Sequence, residues 1–364
     1  MVKKTIFSLF TLFLGIAFQL NAKIQLTGDE SLVRTYSVFD EIQEAIGGQI
    51  LSLFHRPVIV QTRTKEKQSA WIAPVGNWLR EGNIGNQIGF VSLTKGMAAG
   101  YDYLLGSFWN LGAGFVGTRS DLTLHLGKGS GYQERYAAIG YSDFRTKRGY
   151  LGLSFYGAGT KDHLKLYNQF TRNQSLLPRR KFPTAEFTSR ASFHGKELGL
   201  QFQGAYFFGV PACLFYPYGV VDLFGAKNDS FSSQGSFRKE LGSIAFQIES
   251  HTTAALRSEA GVALKIEDLN FAETASISPT FALGWAMECP LYRPSYEWTI
   301  DDVSEKFSSQ GWNQTWQLFT FDFGLNITYR FITVSGSYHS EIAPDGRHDS
   351  FWDQWANVEV RAFF

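Results

Sequence analysis

The chain has 364 residues, room for two ordinary domains or one large all-β domain. Its 34 basic and 33 acidic residues nearly cancel, to a formal charge of +1, which disfavours nucleic acid as a partner. Aromatic residues make up 16% of the chain and charged residues only 18%; a mean hydropathy of -0.14 excludes a bundle of membrane helices but not a transmembrane β-barrel, where only alternate residues face lipid.

In chain order, Lys3 and Lys4 precede an uncharged, mostly apolar run from Thr5 to Leu20, followed by Asn21 and Ala22. A basic start, an apolar middle and a small residue at the cut site describe a secretory signal, expected over residues 1–22. Residues 23–68 read as a helix and linker. Thr27 and Glu30 have capping-box spacing, and Leu32, Tyr36, Phe39, Ile42 and Ile46 recur every three or four residues until Gly47 and Gly48 supply a stop. Such a helix, about 27 Å long, matches the lumen of a barrel wider than eight strands and is expected there as a plug or a threaded linker, with a short periplasmic helix as the alternative.

Residues 69–364 alternate apolar and polar side chains in segments parted by turn signals. The strands are expected at about 70–78, 88–103, 109–125, 132–145, 150–169, 185–207, 213–225, 241–266, 276–288, 313–329, 332–341 and 352–364, an even number. Residues 241–266 read as one strand of about 75 Å, with Ile244, Phe246, Ile248, Leu256, Val262 and Leu264 towards lipid and His251, Arg257, Glu259 and Lys265 towards the lumen. Tyr101, Tyr103, Trp109, Trp285, Trp316 and Tyr329 are expected near strand ends, as interfacial girdles. In "YRFIT" no turn-forming residue separates strands ten and eleven, so that turn is placed by counting alone. Long polar connections, such as "TRNQSLLPRRKFPT", alternate with short ones, such as "TKRG", which is the rule for outer-membrane barrels.

Five segments, "GMAAGYDYLLGSFWNLGAGFVGTRSD", "YPYGVVDLFGAKNDSF", "ALRSEAGVAL", "SPTFALGWAMECPL" and the terminal "VEVRAFF", together resemble the autotransporter β-domain, the translocator barrel of type V secretion. The likeness is nearest to the version at the C-terminus of chlamydial polymorphic outer membrane proteins. It implies an all-β, antiparallel up-and-down barrel of twelve strands in the bacterial outer membrane. Its partners would be outer-membrane lipid, the barrel assembly machinery and periplasmic chaperones, and its state a monomer. Phe364, with Ala362, Val360 and Val358, would carry the terminal assembly signal. The family's large N-terminal passenger has no counterpart among these residues, so the expectation is a surface barrel with an adhesin or envelope role. A porin-like channel for small solutes is the alternative.

No enzyme, cofactor or metal is expected. His339 and Ser340 in "SYHSE" are neighbours without the context of a barrel hydrolase, and "GKGSGYQ" lacks phosphate-loop spacing. His251, Arg257, Glu259 and Lys265 share one strand face and read as an ion-pair lining rather than an acid and base. Cys213 and Cys289 are far apart in sequence, and either a disulfide or two free thiols fits them.

Overall fold

The structure, a computed structural model, describes residues 38–40, 42–48, 50–51, 67–82, 89–106, 108–170, 185–210, 213–237, 243–266, 269–272, 275–292, 295–300, 307–310, 315–343 and 351–364. The signal segment, Thr27, Glu30, Leu32 and Tyr36 lie outside them. Twelve long strands build a closed antiparallel wall. They are β1 (Gln68–Glu81), β2 (Phe90–Leu105), β3 (Trp109–Leu124), β4 (Gly129–Arg145), β5 (Gly149–Phe170) and β6 (Ala185–Tyr206), then β8 (Cys213–Asn228), β11 (His251–Ile266), β13 (Ala275–Tyr292), β16 (Trp316–Tyr329), β17 (Ile332–Ile342) and β18 (Trp352–Phe363). Each pairs with its neighbour along the chain, and β18 returns to β1 from Ser69 opposite Phe363 to Arg80 opposite Trp352. That pairing leaves the sheet no edge, and a sheet can cross hydrocarbon only when every backbone group has such a partner.

The distribution of side chains inverts that of a soluble protein. Phe115 and Leu198 on the outer face are 74% and 72% exposed, whereas Arg135 and Glu197 on the inner face are 1% and 2% exposed. Inward positions carry Thr94, Ser120, Gln133, Asp162 and Asp222, and outward ones Leu93, Met97, Phe155, Phe202 and Phe281. Only an apolar medium outside the wall makes this arrangement favourable. The short links β2 to β3, β4 to β5, β6 to β8, β11 to β13 and β16 to β17 join strand ends at one mouth, and the longer links β5 to β6, β8 to β11 and β13 to β16 join them at the other. Tyr103, Trp109, Tyr206, Phe208, Tyr329 and Phe364 ring the short-turn end with exposed aromatic groups. Trp285 departs from this pattern: β13 continues past it to Tyr292, so it stands inside a strand.

Six short strands complete the fold: β7 (Phe208–Val210), β9 (Phe231–Phe237), β10 (Ser243–Ile248), β12 (Leu269–Ala272), β14 (Ser295–Ile300) and β15 (Phe307–Gln310). At the long-connection end β9 pairs with the projecting start of β6, β10 with β9, β14 with β10 and β15 with β14. This extension corrects the single strand expected over 241–266. Glu249 and Ser250 interrupt it, the Glu249 N–H donates to the Glu297 carbonyl, and β10 leaves the wall. The break also reverses the alternation, so Ile248, expected towards lipid, is fully buried beside Phe231 and Tyr296. The uncued turn in "YRFIT" is a two-residue hairpin between Tyr329 and Ile332. Arg330 takes a positive φ of 54°, the role usually given to glycine.

One helix, α1, is described at residues 38–40, 42–48 and 50–51; no described helix is long and apolar enough to cross a membrane. It lies inside the barrel and runs through Gly47 and Gly48, which were expected to stop it. A Cβ on Gly47 would collide with the Tyr156 hydroxyl and the Phe224 ring. The residue is small because helix and wall touch there, not because the helix ends.

If the outer face is lipid-facing, Phe115→Arg should cost about 2–4 kcal/mol in denaturant unfolding from lipid vesicles, and Phe115→Leu far less. Equal costs for the two variants would contradict the assignment.

Candidate functional site: the helix-filled lumen

The apolar stripe of α1, comprising Phe39, Ile42, Ile46 and Ile50, recurs every three or four residues and is fully buried with Val38 and Leu51. Phe39 meets Phe193 edge-on at 5.5 Å between ring centroids, and Phe193 stacks on Phe231 at 4.3 Å. Ile46 and Ile50 lie against Val75, Thr94, Thr118 and Trp355 around a cavity of only about 20 Å³, room for about one water. Below α1, towards the short-turn end, Tyr150, Phe207, Tyr216, Tyr218 and Val220 form a second apolar layer inside the barrel.

The polar stripe begins at Asp40. One carboxylate oxygen accepts from the Asn228 amide at 2.7 Å and lies 3.1 Å from His251 Nε2; the other accepts from the Tyr296 hydroxyl. Gln43, one turn on, donates to Thr160 Oγ1 at 3.2 Å and Asn228 Oδ1 at 3.0 Å. Its backbone carbonyl accepts from Arg135, whose same nitrogen reaches Gln133 at 3.1 Å and Glu197 at 2.9 Å. Gln133 and Thr160 in turn both donate to Asp162. Strands β5, β8, β11 and β14 therefore converge on two side chains of the helix, and β4 reaches its backbone through Arg135, which Glu197 of β6 pairs.

A second network shares β8 and β11 with the first and extends to β16 and β17. Arg257 reaches Asp222 at 3.2 Å, Glu259 at 2.6 Å and Glu341 at 2.5 Å. Glu259 also accepts from Tyr218 and Thr320, and His339 bridges Glu341 at 2.8 Å and Asp322 at 2.7 Å. This arrangement neutralises inward carboxylates around one guanidinium; among the described residues no His, Cys, Asp and Glu cluster fits a metal ion. Ser340 accepts from the Trp352 indole while His339 points into the lumen, so the two successive residues form no nucleophile and base pair. Cys213 and Cys289 are free thiols.

Of the four residues assigned to the lumen, the structure brings Arg257 and Glu259 into one network and places His251 against α1. Lys265 is buried near the short-turn end of β11. Val358 and Val360 of β18 and the following Phe364 are exposed, and Ala362 lies opposite Ala70 and Ile332. The Phe364 N–H donates to the Gln68 carbonyl at 3.0 Å, and its ring lies 6.2 Å from that of Tyr101. Sequence reasoning missed Arg135, Glu197, Asn228 and Tyr296. Alternation assigns Arg135 and Glu197 to the inner face, whereas Asn228 lies beyond the strand expected to end at 225, and nothing local marks any of them as partners of a helix about a hundred or more residues away.

Comparison with known proteins agrees with this architecture. The translocator domain of the autotransporter NalP from Neisseria meningitidis is 13% identical, covering 91% of this chain and 99% of that one, with a TM-score of 0.64. The β domain of the Bordetella autotransporter BrkA is 14% identical, covering 82% of this chain and 100% of that one, with a TM-score of 0.53. At such identities the likeness shows the fold alone. A search of curated proteins finds no match. The family model described as the autotransporter β-domain matches residues 70–339, most of the barrel wall. The chain therefore belongs to the autotransporter β-domain family, the translocator barrels of the bacterial outer membrane.

Proposed function

We propose that this translocator barrel is a non-enzymatic surface protein whose lumen is held shut by α1 and whose long connections face outward, in an adhesin or envelope role without a large passenger. One observation carries this reading: Asp40 is held at once by Asn228 of β8, His251 of β11 and Tyr296 of β14. Hydrogen bonds to a charged group contribute about 1.5–3 kcal/mol each, so the three together oppose release of the helix strongly. The start of α1 meets Tyr296 at the long-connection end, whereas Leu51 lies deeper, beside Gly199. The described start of α1 therefore stands towards the outer mouth, which supports a role in exposing a segment at the surface. In this reading residues 1–22 are a cleaved signal and 23–68 the plug and its linker. Val358, Val360, Ala362 and Phe364 are then the signal read by the assembly machinery, after periplasmic chaperones have delivered the chain.

The channel alternative requires α1 to leave the lumen. In planar bilayers the folded protein should be electrically quiet, and removal of residues 23–53 should produce steady conductance. Asp40→Ala with Gln43→Ala, or Gly47→Leu, should give intermittent openings. Free conductance by the intact chain, unaltered by the deletion, would favour the solute channel instead.

Assembly offers a separate check. Loss of Phe364, or Phe364→Asp, should sharply lower the yield of heat-modifiable barrel in outer-membrane fractions. Unchanged assembly of both variants would remove these residues from the role of signal.

A further inference from the structure

The outer wall carries a depression at the short-turn end that the translocator reading does not use. It is a groove of about 460 Å³ walled by Trp109, Phe144, Leu151, Leu153, Phe202 and Val221. Its floor is bare because Gly204 and Gly219 stand opposite each other on β6 and β8. The wall is fixed: the Trp109 indole donates to Ser142 Oγ at 2.6 Å, which holds the ring along the barrel surface.

The turn beside the groove is basic. Lys147 and Arg148 are exposed, and neither forms an ion pair with a described residue. The Thr146 hydroxyl accepts from the N–H groups of Arg148 at 3.2 Å and Gly149 at 3.0 Å, so the turn backbone is tied together with both basic residues at the hairpin tip beside the groove. Arg145 differs, because its guanidinium turns inward over the Phe207 ring. The adjoining turns 106–108 and 207–212 contain no charged residue. Lys147 is three residues from Phe144, and Arg148 three from Leu151, a strand distance of about 10 Å.

We propose that this groove and turn form a binding site for an anionic glycerophospholipid, with an acyl chain over Gly204 and Gly219 and the phosphate held by Lys147 and Arg148. The short-turn end is the periplasmic one in the orientation above, and phospholipid is the occupant that combines an apolar chain with a headgroup small enough for a two-residue basic rim. Two exposed cations, with no carboxylate in their own turn or the adjoining turns, select an anionic headgroup over a zwitterionic one.

Native mass spectrometry of the folded full-length protein, in neutral detergent with equal phosphatidylglycerol and phosphatidylcholine of matched chains, tests this. Phosphatidylglycerol should be retained in preference, and Lys147→Gln with Arg148→Gln should reduce that preference on the order of tenfold. Gly219→Phe should fill the groove and lower retention of both lipids. A Cβ at Gly219 meets only the Glu259 carbonyl at 3.7 Å, so the backbone there accepts a side chain, and heat-modifiable migration verifies folding of both variants. Equal retention of the two lipids by the unaltered protein would overturn the proposal. So would unchanged phosphatidylglycerol binding in Gly219→Phe, which would mean headgroup attraction without a groove, or displacement of phosphatidylglycerol by lipopolysaccharide.

Discussion

Everything in this structure depends on the seam between β1 and β18. A sheet in hydrocarbon with one open edge would leave a row of backbone groups unpaired, each at a penalty of several kcal/mol. The pairing of Ser69 with Phe363 through Arg80 with Trp352 removes that edge, and the Phe364 N–H extends it by a bond to Gln68. Arg361 strengthens the closure from inside, where it meets Glu359 at 2.7 Å, Ser69 at 3.1 Å and Asp102 across the seam. Once the wall is closed, alternation along every strand acquires a second meaning. One face must suit lipid, and the other must place its polar groups in a confined interior.

That confinement explains the lumen. Buried charges are expensive unless paired, and the inner wall carries many of them: Arg135 with Glu197, Arg257 with three carboxylates, His339 between two. Such pairs add little net stability compared with apolar packing, but they suit a surface whose occupant must be recognised. The helix meets this surface with two different faces. Phe39, Ile42, Ile46 and Ile50 exclude water, while Asp40 and Gln43 satisfy wall groups that would otherwise be buried alone. Gly47 permits the approach of helix to wall on which both faces depend.

All twelve wall strands were legible because their signal is local and repeated: a period of two, broken by turns. The apolar stripe of α1 was legible for the same reason. The parts that were not legible lack a local signal or carry a misleading one. Strand β9 reads "FSSQGSF", a polar stretch that becomes a strand only by pairing with β6 and β10. The apolar alternation of residues 241–266 lapses at Ser250 and Thr252, but it lapses again at Ser258 inside β11, so a polar gap alone does not mark Glu249 as the point where the chain leaves the wall. Gly47 and Gly48 look like a helix terminus because glycine serves both termination and close approach, and sequence does not separate the two. Arg330 holds a left-handed turn without glycine, which is possible where flanking strands already fix the register. The candidate site was legible only as a face: inward residues of β11 were named, but their pairing across strands was not.

The same separation in sequence constrains how the lumen is filled. Asp40 and Tyr296 are 256 residues apart, Asp40 and His251 211, and Gln43 and Thr160 117. A helix of this length is marginal in water on its own, and its polar face has no partners until β5, β8, β11 and β14 stand in place. Loop-closure entropy grows only slowly with separation, so distance along the chain is not the main obstacle. The obstacle is that the binding surface for α1 does not exist before the wall does. The residues synthesised first are thus ordered by those synthesised later. The helix that closes the lumen is a consequence of barrel closure, not a template for it.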